Sequence, residues 1–132
     1  MEIQIDPQKR GFGKTILVVD DNAAIRKQLA TAFLSDGFKT CAEAENGQEA
    51  IALAEQIKPD VIVLDLSMPV MNGMEAAPRL RKILPDTPII LFTLYSDTLS
   101  TKDASRAGVS FVLPKDVPFR TLVDKAHEWM GN

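Results

Sequence analysis

Three stretches of the chain, "ILVVD" at 16–20, "VIVLD" at 61–65 and "IILFT" at 89–93, each run four apolar side chains in a row and close on one polar residue. A strand with one wet face alternates apolar and polar positions, whereas a run that is apolar throughout has both faces covered. Segments with apolar residues at helical spacing lie between these runs. A parallel sheet, joined by right-handed helical crossovers and covered by helices on both sides, satisfies both patterns. The sequence therefore predicts a doubly wound α/β fold.

Five strands are expected, at 15–20, 38–44, 61–65, 89–93 and 109–113. The second is the weakest, and its Lys39 and Glu43 mark an edge. The first helix, over 23–35, turns Ile25, Leu29, Ala32 and Phe33 inward and is closed by Gly37. The second, over 47–57, buries Ala50, Leu53, Ala54 and Ile57, and Asn46 with Glu49 reads as its capping box. A third runs from Asn72 to about Leu84 and contains Pro78, which removes a backbone donor and is expected to kink it. The fourth, over 99–107, has the poorest apolar stripe, which makes it a loosely docked element. The last, over 118–130, presents Phe119, Leu122, Val123, Ala126 and Met130.

With 132 residues and 45% hydrophobic content the chain suffices for one core, so a single domain over 15–132 is expected. Residues 1–14, "MEIQIDPQKRGFGK", read as a tail outside it. The 15 basic and 18 acidic side chains give a net charge of −3, without the basic footprint of nucleic-acid binding. Cys41 is alone, so no internal disulfide forms, and no stretch has the apolar length of a signal peptide or membrane span. A cytoplasmic protein is expected. Cys41 reads as a small buried or edge side chain, Trp129 as packed at the border of the last stripe, and His127 as a surface residue rather than a phosphodonor.

In open α/β sheets, function collects outside the carboxyl ends of the strands. Asp20 and Asp21 close the first strand, Asp65 the third and Thr93 the fourth, and Lys115 follows the fifth, so these polar groups converge at one end. At an effective dielectric near 20, two like charges about 4 Å apart repel by on the order of 4 kcal/mol, so a cation or protons must be held there. An oxygen-only donor set without Cys or His favours a hard ion, and Mg²⁺ suits it. A cation, an ammonium and a hydroxyl make a receptacle for phosphoryl oxygens, with a carboxylate as a possible nucleophile.

The segments "VVDD", "KPDVIVLDLSMPVMNGMEA", "IILFT" and "AGVSFVLPKD" resemble the receiver domain of bacterial two-component response regulators, CheY-like, over about residues 14–130. The resemblance implies a flavodoxin-like five-stranded parallel sheet of order 2-1-3-4-5 with about five helices. It implies that Asp65 accepts a phosphoryl group from a phosphohistidine on a sensor histidine kinase or phosphotransfer protein. Asp21 and Asp65 would ligate Mg²⁺ directly, Asp20 through water, and the backbone carbonyl of Ser67 would complete the set. Lys115 would pair with the phosphoryl oxygens, and Thr93 would move toward them and pull the loop behind it, switching the surface of the last helices. Such a protein is a signalling switch that catalyses its own phosphotransfer and autodephosphorylation rather than an enzyme turning over a separate substrate.

Several positions depart from the family. Val112 stands three before the lysine, where an aromatic is usual, and strand alternation sends Phe111 to the opposite face, leaving Tyr95 as a substitute. Pro114 precedes Lys115, and Asp116 follows it, where the family commonly has a proline. Leu94 is bulkier than the small residue usual after the threonine, and with Ser67 and Tyr95 it implies an unusual dephosphorylation rate of unspecified direction.

The alternative reading is a receiver-like protein-interaction module that is not phosphorylated. A flavin-binding relative is disfavoured, since no GxGxxG follows the first strand. The expected output is a downstream protein target or a missing output domain. Neither direct nucleic-acid binding nor membrane association is expected, and the protein is expected to be a monomer or weak homodimer.

Overall fold

Strands β1 (Thr15–Val19), β2 (Thr40–Ala44), β3 (Val61–Leu64), β4 (Ile89–Thr93) and β5 (Phe111–Pro114) alternate with helices α1 (Ala23–Ser35), α2 (Gly47–Ile57), α3 (Gly73–Ile83), α4 (Thr101–Arg106) and α5 (Phe119–Met130). These elements come from a computed structural model that describes residues 12–131. All strand pairs are parallel and the sheet order is β2-β1-β3-β4-β5, the flavodoxin-like arrangement.

Strand alternation sends each apolar run to both sides. Leu17, Val19, Ile62, Leu64, Ile89 and Leu91 pack under Ala50 and Ala54 of α2 and Ala76, Ala77 and Leu80 of α3. Ile16, Val18, Val61, Val63, Ile90 and Phe92 pack against Leu29 and Phe33 of α1 and Leu122, Val123 and Ala126 of α5. Phe111 belongs to the second layer and Val112 to the first, so the two do face opposite ways.

The expected strands shift by one or two residues at their ends. β1 and β3 stop just before Asp20 and Asp65, yet both aspartates keep a ladder bond, Asp20 N–H to Ala44 O at 3.0 Å and Asp65 N–H to Val19 O at 2.9 Å. β5 begins at Phe111 and ends at Pro114. Phe38, expected in the second strand, instead makes an antiparallel bridge with Phe12, a residue of the expected tail. Residues 1–11 of that tail lie outside the described residues.

Helix caps account for other differences. The reciprocal capping box belongs to α3, where Asn72 and Glu75 each receive the other's backbone N–H. At α2, Asn46 accepts from the Glu49 N–H, but Glu49 turns back only to the Asn46 side-chain amide at 3.5 Å. Pro78 lies on the exposed side of α3, which continues through it to Ile83. The fourth helix does not run over 99–107. Ser96–Thr98 form a 3₁₀ turn, Leu99 is extended, and Ser100 caps a short α4 by accepting from the Asp103 N–H. The Ser100 cap starts the helix two residues later than its apolar residues indicate.

His127 is not a surface residue. It is 1% exposed, pairs through Nε2 with Asp36 and lies 5.5 Å, centroid to centroid, from the Phe38 ring. Position 127 falls one helical turn after Val123, squarely on the buried stripe, where its polar character hid it. Trp129 stays 44% exposed, tilted against Phe111 at 6.4 Å.

Val70, in the loop between β3 and α3, is 74% exposed and has φ of 68°, a left-handed conformation unfavourable for a β-branched residue. Val70→Asn is expected to raise stability by about 1 kcal/mol, because asparagine tolerates that region without glycine's extra entropy. An unchanged or lower urea midpoint in the variant would refute the strain.

Candidate functional site

Asp20 and Asp65 are buried at 2% and 6% exposure beyond the ends of two adjacent strands, and Asp21 stands exposed beside them. One carboxylate oxygen from each of the three lies within 4.8 Å of the others. Ladder bonds at the tips of β1 and β3 set this convergence, and local bonds aim the carboxylates. The Asn22 N–H donates to Asp20 Oδ1 at 2.9 Å and the Leu66 N–H to Asp65 Oδ1 at 2.8 Å.

Lys115 closes the cluster from the loop after β5. Its ammonium donates to Asp20 Oδ2 at 2.7 Å and Asp65 Oδ2 at 3.2 Å, with its side chain only 12% exposed. Burial alone would depress the Lys115 pKa, but its bonds to Asp20 and Asp65 together push it above the usual value. Asp65 is also raised, first by burial and then by Asp20, and Lys115 only partly offsets these. One ammonium facing several carboxylates leaves net negative charge in a buried place. A further positive charge there would relieve the repulsion.

Thr93, fully buried, ends β4; its hydroxyl accepts from the Tyr95 N–H at 3.1 Å, and its carbonyl accepts from the Lys115 N–H at 3.0 Å. The two residues are thus tied by backbone, with Pro114 paired opposite Thr93. Ser67 lies exposed in the loop two residues past Asp65, and with Leu66, Met68, Asn72, Tyr95 and Thr98 it lines a shallow depression. Leu94 and Tyr95 are 72% and 51% exposed, so neither shields the carboxylates by being buried over them.

Gly73 contributes to the site without having been singled out from the sequence. A Cβ there would sit 2.3 Å from the Asp65 carbonyl oxygen, and the Gly73 N–H donates to Leu66 O at 2.9 Å. Only glycine lets the start of α3 approach the backbone that presents Asp65. The "NG" pair before a helical period was the available signal, since it marks a cap and a tight approach.

Cys41 lies half-buried on β2, and burial, then Glu43, push its thiol up to about 12. An unfolded thiol titrates near about 8.5, so at pH 8 iodoacetamide should alkylate folded Cys41 at least about a hundredfold more slowly than in urea. The unfolded chain releases this proton first, so the thiol's effect is to lower stability as pH rises from there toward the folded value. Equal alkylation rates in the two states would contradict that burial.

The sequence profile of the response regulator receiver domain family matches residues 16–127. Chemotaxis protein CheY of Thermotoga maritima is 34% identical over 84% of this chain and 93% of its own length. Regulatory protein AtoC of Escherichia coli is 41% identical over 70% of this chain, which corresponds to only 20% of that regulator. This chain likewise spans about half of several curated transcriptional regulators it matches. Among solved structures, the response regulator domain of Thermotoga maritima CheB superposes with a TM-score of 0.79 at 31% identity, covering 91% of this chain and 98% of that one. Among the described residues no helix is long and apolar enough to cross a membrane. A match over most of the chain, on a sheet of this order with this acidic pocket, places the protein in the response regulator receiver domain family, CheY-like signalling proteins of two-component systems.

Proposed function

We propose that Asp65 is the phosphoacceptor of a Mg²⁺-dependent self-modification, with the phosphoryl group arriving from a phosphohistidine on a sensor histidine kinase or phosphotransfer protein. The observation that carries this reading is the convergence of three carboxylate oxygens within 4.8 Å, two of the aspartates sharing one partly buried ammonium.

The donor set fits the ion. Three carboxylate oxygens within 4.8 Å of one another need only a small inward adjustment to meet on one small cation, and Lys115 Nζ already takes a cation's place between Asp20 and Asp65. Asp20, Asp21, Asp65 and the Ser67 carbonyl are the residues that would hold it. When bound, Mg²⁺ supplies charge neutralisation to the phosphoryl oxygens as they transfer.

The protein's own groups do the rest. Asp65 Oδ2, released as its bond from Lys115 gives way, attacks phosphorus in line as the P–N bond to the donor imidazole breaks, and the imidazole departs with a proton from solvent, while Oδ1 keeps the Leu66 N–H. Lys115 exchanges its bond to Asp65 for one to a phosphoryl oxygen. The Thr93 hydroxyl, now accepting from the Tyr95 N–H, turns to donate to another. Giving up that bond frees the loop of Leu94 and Tyr95, and the 3₁₀ turn and short α4 behind it move with it. The switched surface on the last helices then meets a downstream protein partner.

Incubation with Mg²⁺ and a small phosphodonor such as phosphoramidate should add the mass of one phosphoryl group, visible by intact mass spectrometry and lost with EDTA. Asp65→Asn should abolish the gain. No gain in the wild-type chain, or the same gain in the variant, would end the reading and leave a non-phosphorylated interaction module. The decay of the adduct measures the dephosphorylation rate that Leu94, Ser67 and Tyr95 set.

A further inference from the structure

Asp20 is the residue on which the pocket is most tightly built, and its peptide is held from several sides. Its N–H donates to Ala44 O at 3.0 Å, and its carboxylate takes the Asn22 N–H at 2.9 Å and Lys115 Nζ at 2.7 Å. Its carbonyl lies past the last residue of β1 and takes its bond from a side chain. Arg26 Nη1, in the first turns of α1, donates to Asp20 O at 2.6 Å.

The same guanidinium is anchored at its other end, where Nε donates to Glu43 Oε1 at 3.2 Å. The strand register makes this possible: Glu43 stands opposite Val18 and Ala44 opposite Val19, so Glu43 comes up beside the end of β1 and the start of α1. The Arg26 N–H also donates to the Asn22 carbonyl at 3.1 Å, and Asn22 caps α1. The Arg26 side chain is 16% exposed, while its Glu43 partner is 37% exposed. Glu43 read as an edge-strand charge is thus the outer post of a brace.

We propose that Arg26 is a positioning residue of the cation site: braced on Glu43, its guanidinium fixes the Asp20 carbonyl and so the peptide that aims Asp20 and Asp21 at the ion. This rests on the reading of the acidic pocket as a Mg²⁺ site. Groups that orient metal ligands from behind carry a large share of affinity, because a displaced carboxylate must be drawn back before it coordinates. Lysine is a poor replacement here, since Arg26 meets Glu43 and the Asp20 carbonyl with two different nitrogens of one rigid plane, whereas a lysine has a single nitrogen on a flexible stem for both.

Two effects of removing Arg26 have opposite signs, and this makes the test sharp. Loss of a nearby positive charge by itself strengthens cation binding; loss of positioning weakens it. Calorimetric titration of the full chain with MgCl₂ should give R26M a dissociation constant raised by ~10-fold, with R26K raised nearly as much. Glu43→Gln, which keeps an acceptor but removes the ion pair, should fall between R26M and wild type. Hydrogen exchange at the Asn22 amide, whose acceptor is Asp20, should quicken in R26M even without metal.

R26M binding Mg²⁺ as tightly as wild type, or more tightly, would overturn the proposal, as would full affinity in R26K; a lower melting temperature with unchanged affinity is the purely structural outcome and also counts against it. R26K decides the matter if R26M does not fold. A wild-type chain that takes up no Mg²⁺ removes this role together with the cation reading, whereas a binding wild type with indifferent Arg26 variants removes this role alone.

Discussion

Lys115→Met is expected to destabilise the metal-free protein by about 3 kcal/mol, because it strips the counter-charge that lies between two buried carboxylates. The Lys115 ammonium touches Asp20 and Asp65 at 2.7 and 3.2 Å, and neither carboxylate can turn to water at 2% and 6% exposure. Without the ammonium, the burial and then the Asp20 charge that already raise the Asp65 pKa are opposed only by the Leu66 N–H bond, and the pocket relieves them by taking up a proton. The variant's deficit is therefore largest near neutral pH and shrinks as pH falls, since a carboxyl whose folded pKa is raised gains folded-state protons there. In the wild type the raised Lys115 pKa has the same sign in the alkaline range: its stabilisation is full below the unfolded lysine value and disappears as pH rises through the folded one.

Asp65→Asn should have the reverse effect, raising the stability of the metal-free protein by on the order of 1 kcal/mol by removing one of the crowded charges while Lys115 keeps Asp20. Added Mg²⁺ should recover most of the Lys115→Met deficit, because a ligand bound only by the folded state stabilises it by mass action. Urea titrations at pH 5 and pH 7, with and without MgCl₂, test all of this. A Lys115→Met variant as stable as wild type at neutral pH, or an Asp65→Asn variant less stable than wild type, would show that the pocket is not under electrostatic stress.

Arg81→Met is the second large expected loss, about 2–3 kcal/mol, although Arg81 touches no part of the acidic pocket. Its Nη1 donates to the carbonyls of Leu84, Pro85 and Thr87 at 3.0, 3.1 and 2.6 Å. Nε and Nη2 both donate to Gly108 O, at 3.1 and 2.7 Å, and Nη2 reaches Ser110 Oγ at 3.4 Å. One side chain thus ties the end of α3 to the entry of β4 and to the turn between α4 and β5. Gly108 is needed for that approach: it adopts φ of 96°, and a Cβ there would meet Arg81 Cβ at 2.8 Å. Loss of the guanidinium removes its bonds to the part-buried Thr87 and Gly108 carbonyls, each worth about 1 kcal/mol or more, while Leu84 O keeps the Thr87 N–H and the exposed Pro85 O turns to water. Arg81→Lys should regain less than half, since an ammonium cannot serve two separated loops at once. A midpoint within experimental error of wild type for Arg81→Met, or complete rescue by lysine, would show the staple to be incidental.

What the residues disclosed in advance follows from how far each signal reaches along the chain. Unbroken apolar runs such as 61–64 can only be satisfied with cover on both faces, so the layered fold was visible, and the polar residues that close those runs had to emerge at one end. The start of α4 was not visible, because Leu99 looks helical by spacing while the Ser100 cap, a single side-chain bond to the Asp103 N–H, sets the boundary. His127 is buried although its polarity favours the surface, because its position lies on the apolar stripe of α5. Burial next to Asp36 and Phe38 outweighs that polarity once a partner is supplied from α1's far end.

The amino-acid sequence by itself determined the sandwich of helices around parallel strands and the gathering of Asp20, Asp21, Asp65, Thr93 and Lys115 at the strand tips, because period and strand polarity are local properties. Only the tertiary structure decided that Lys115 bridges Asp20 and Asp65, that Arg26 joins Glu43 to the Asp20 carbonyl, and that Arg81 reaches Gly108 across 27 residues. Such bonds depend on long side chains meeting distant backbone, and no periodicity in the chain encodes which atoms the packing will bring within 3 Å of each other.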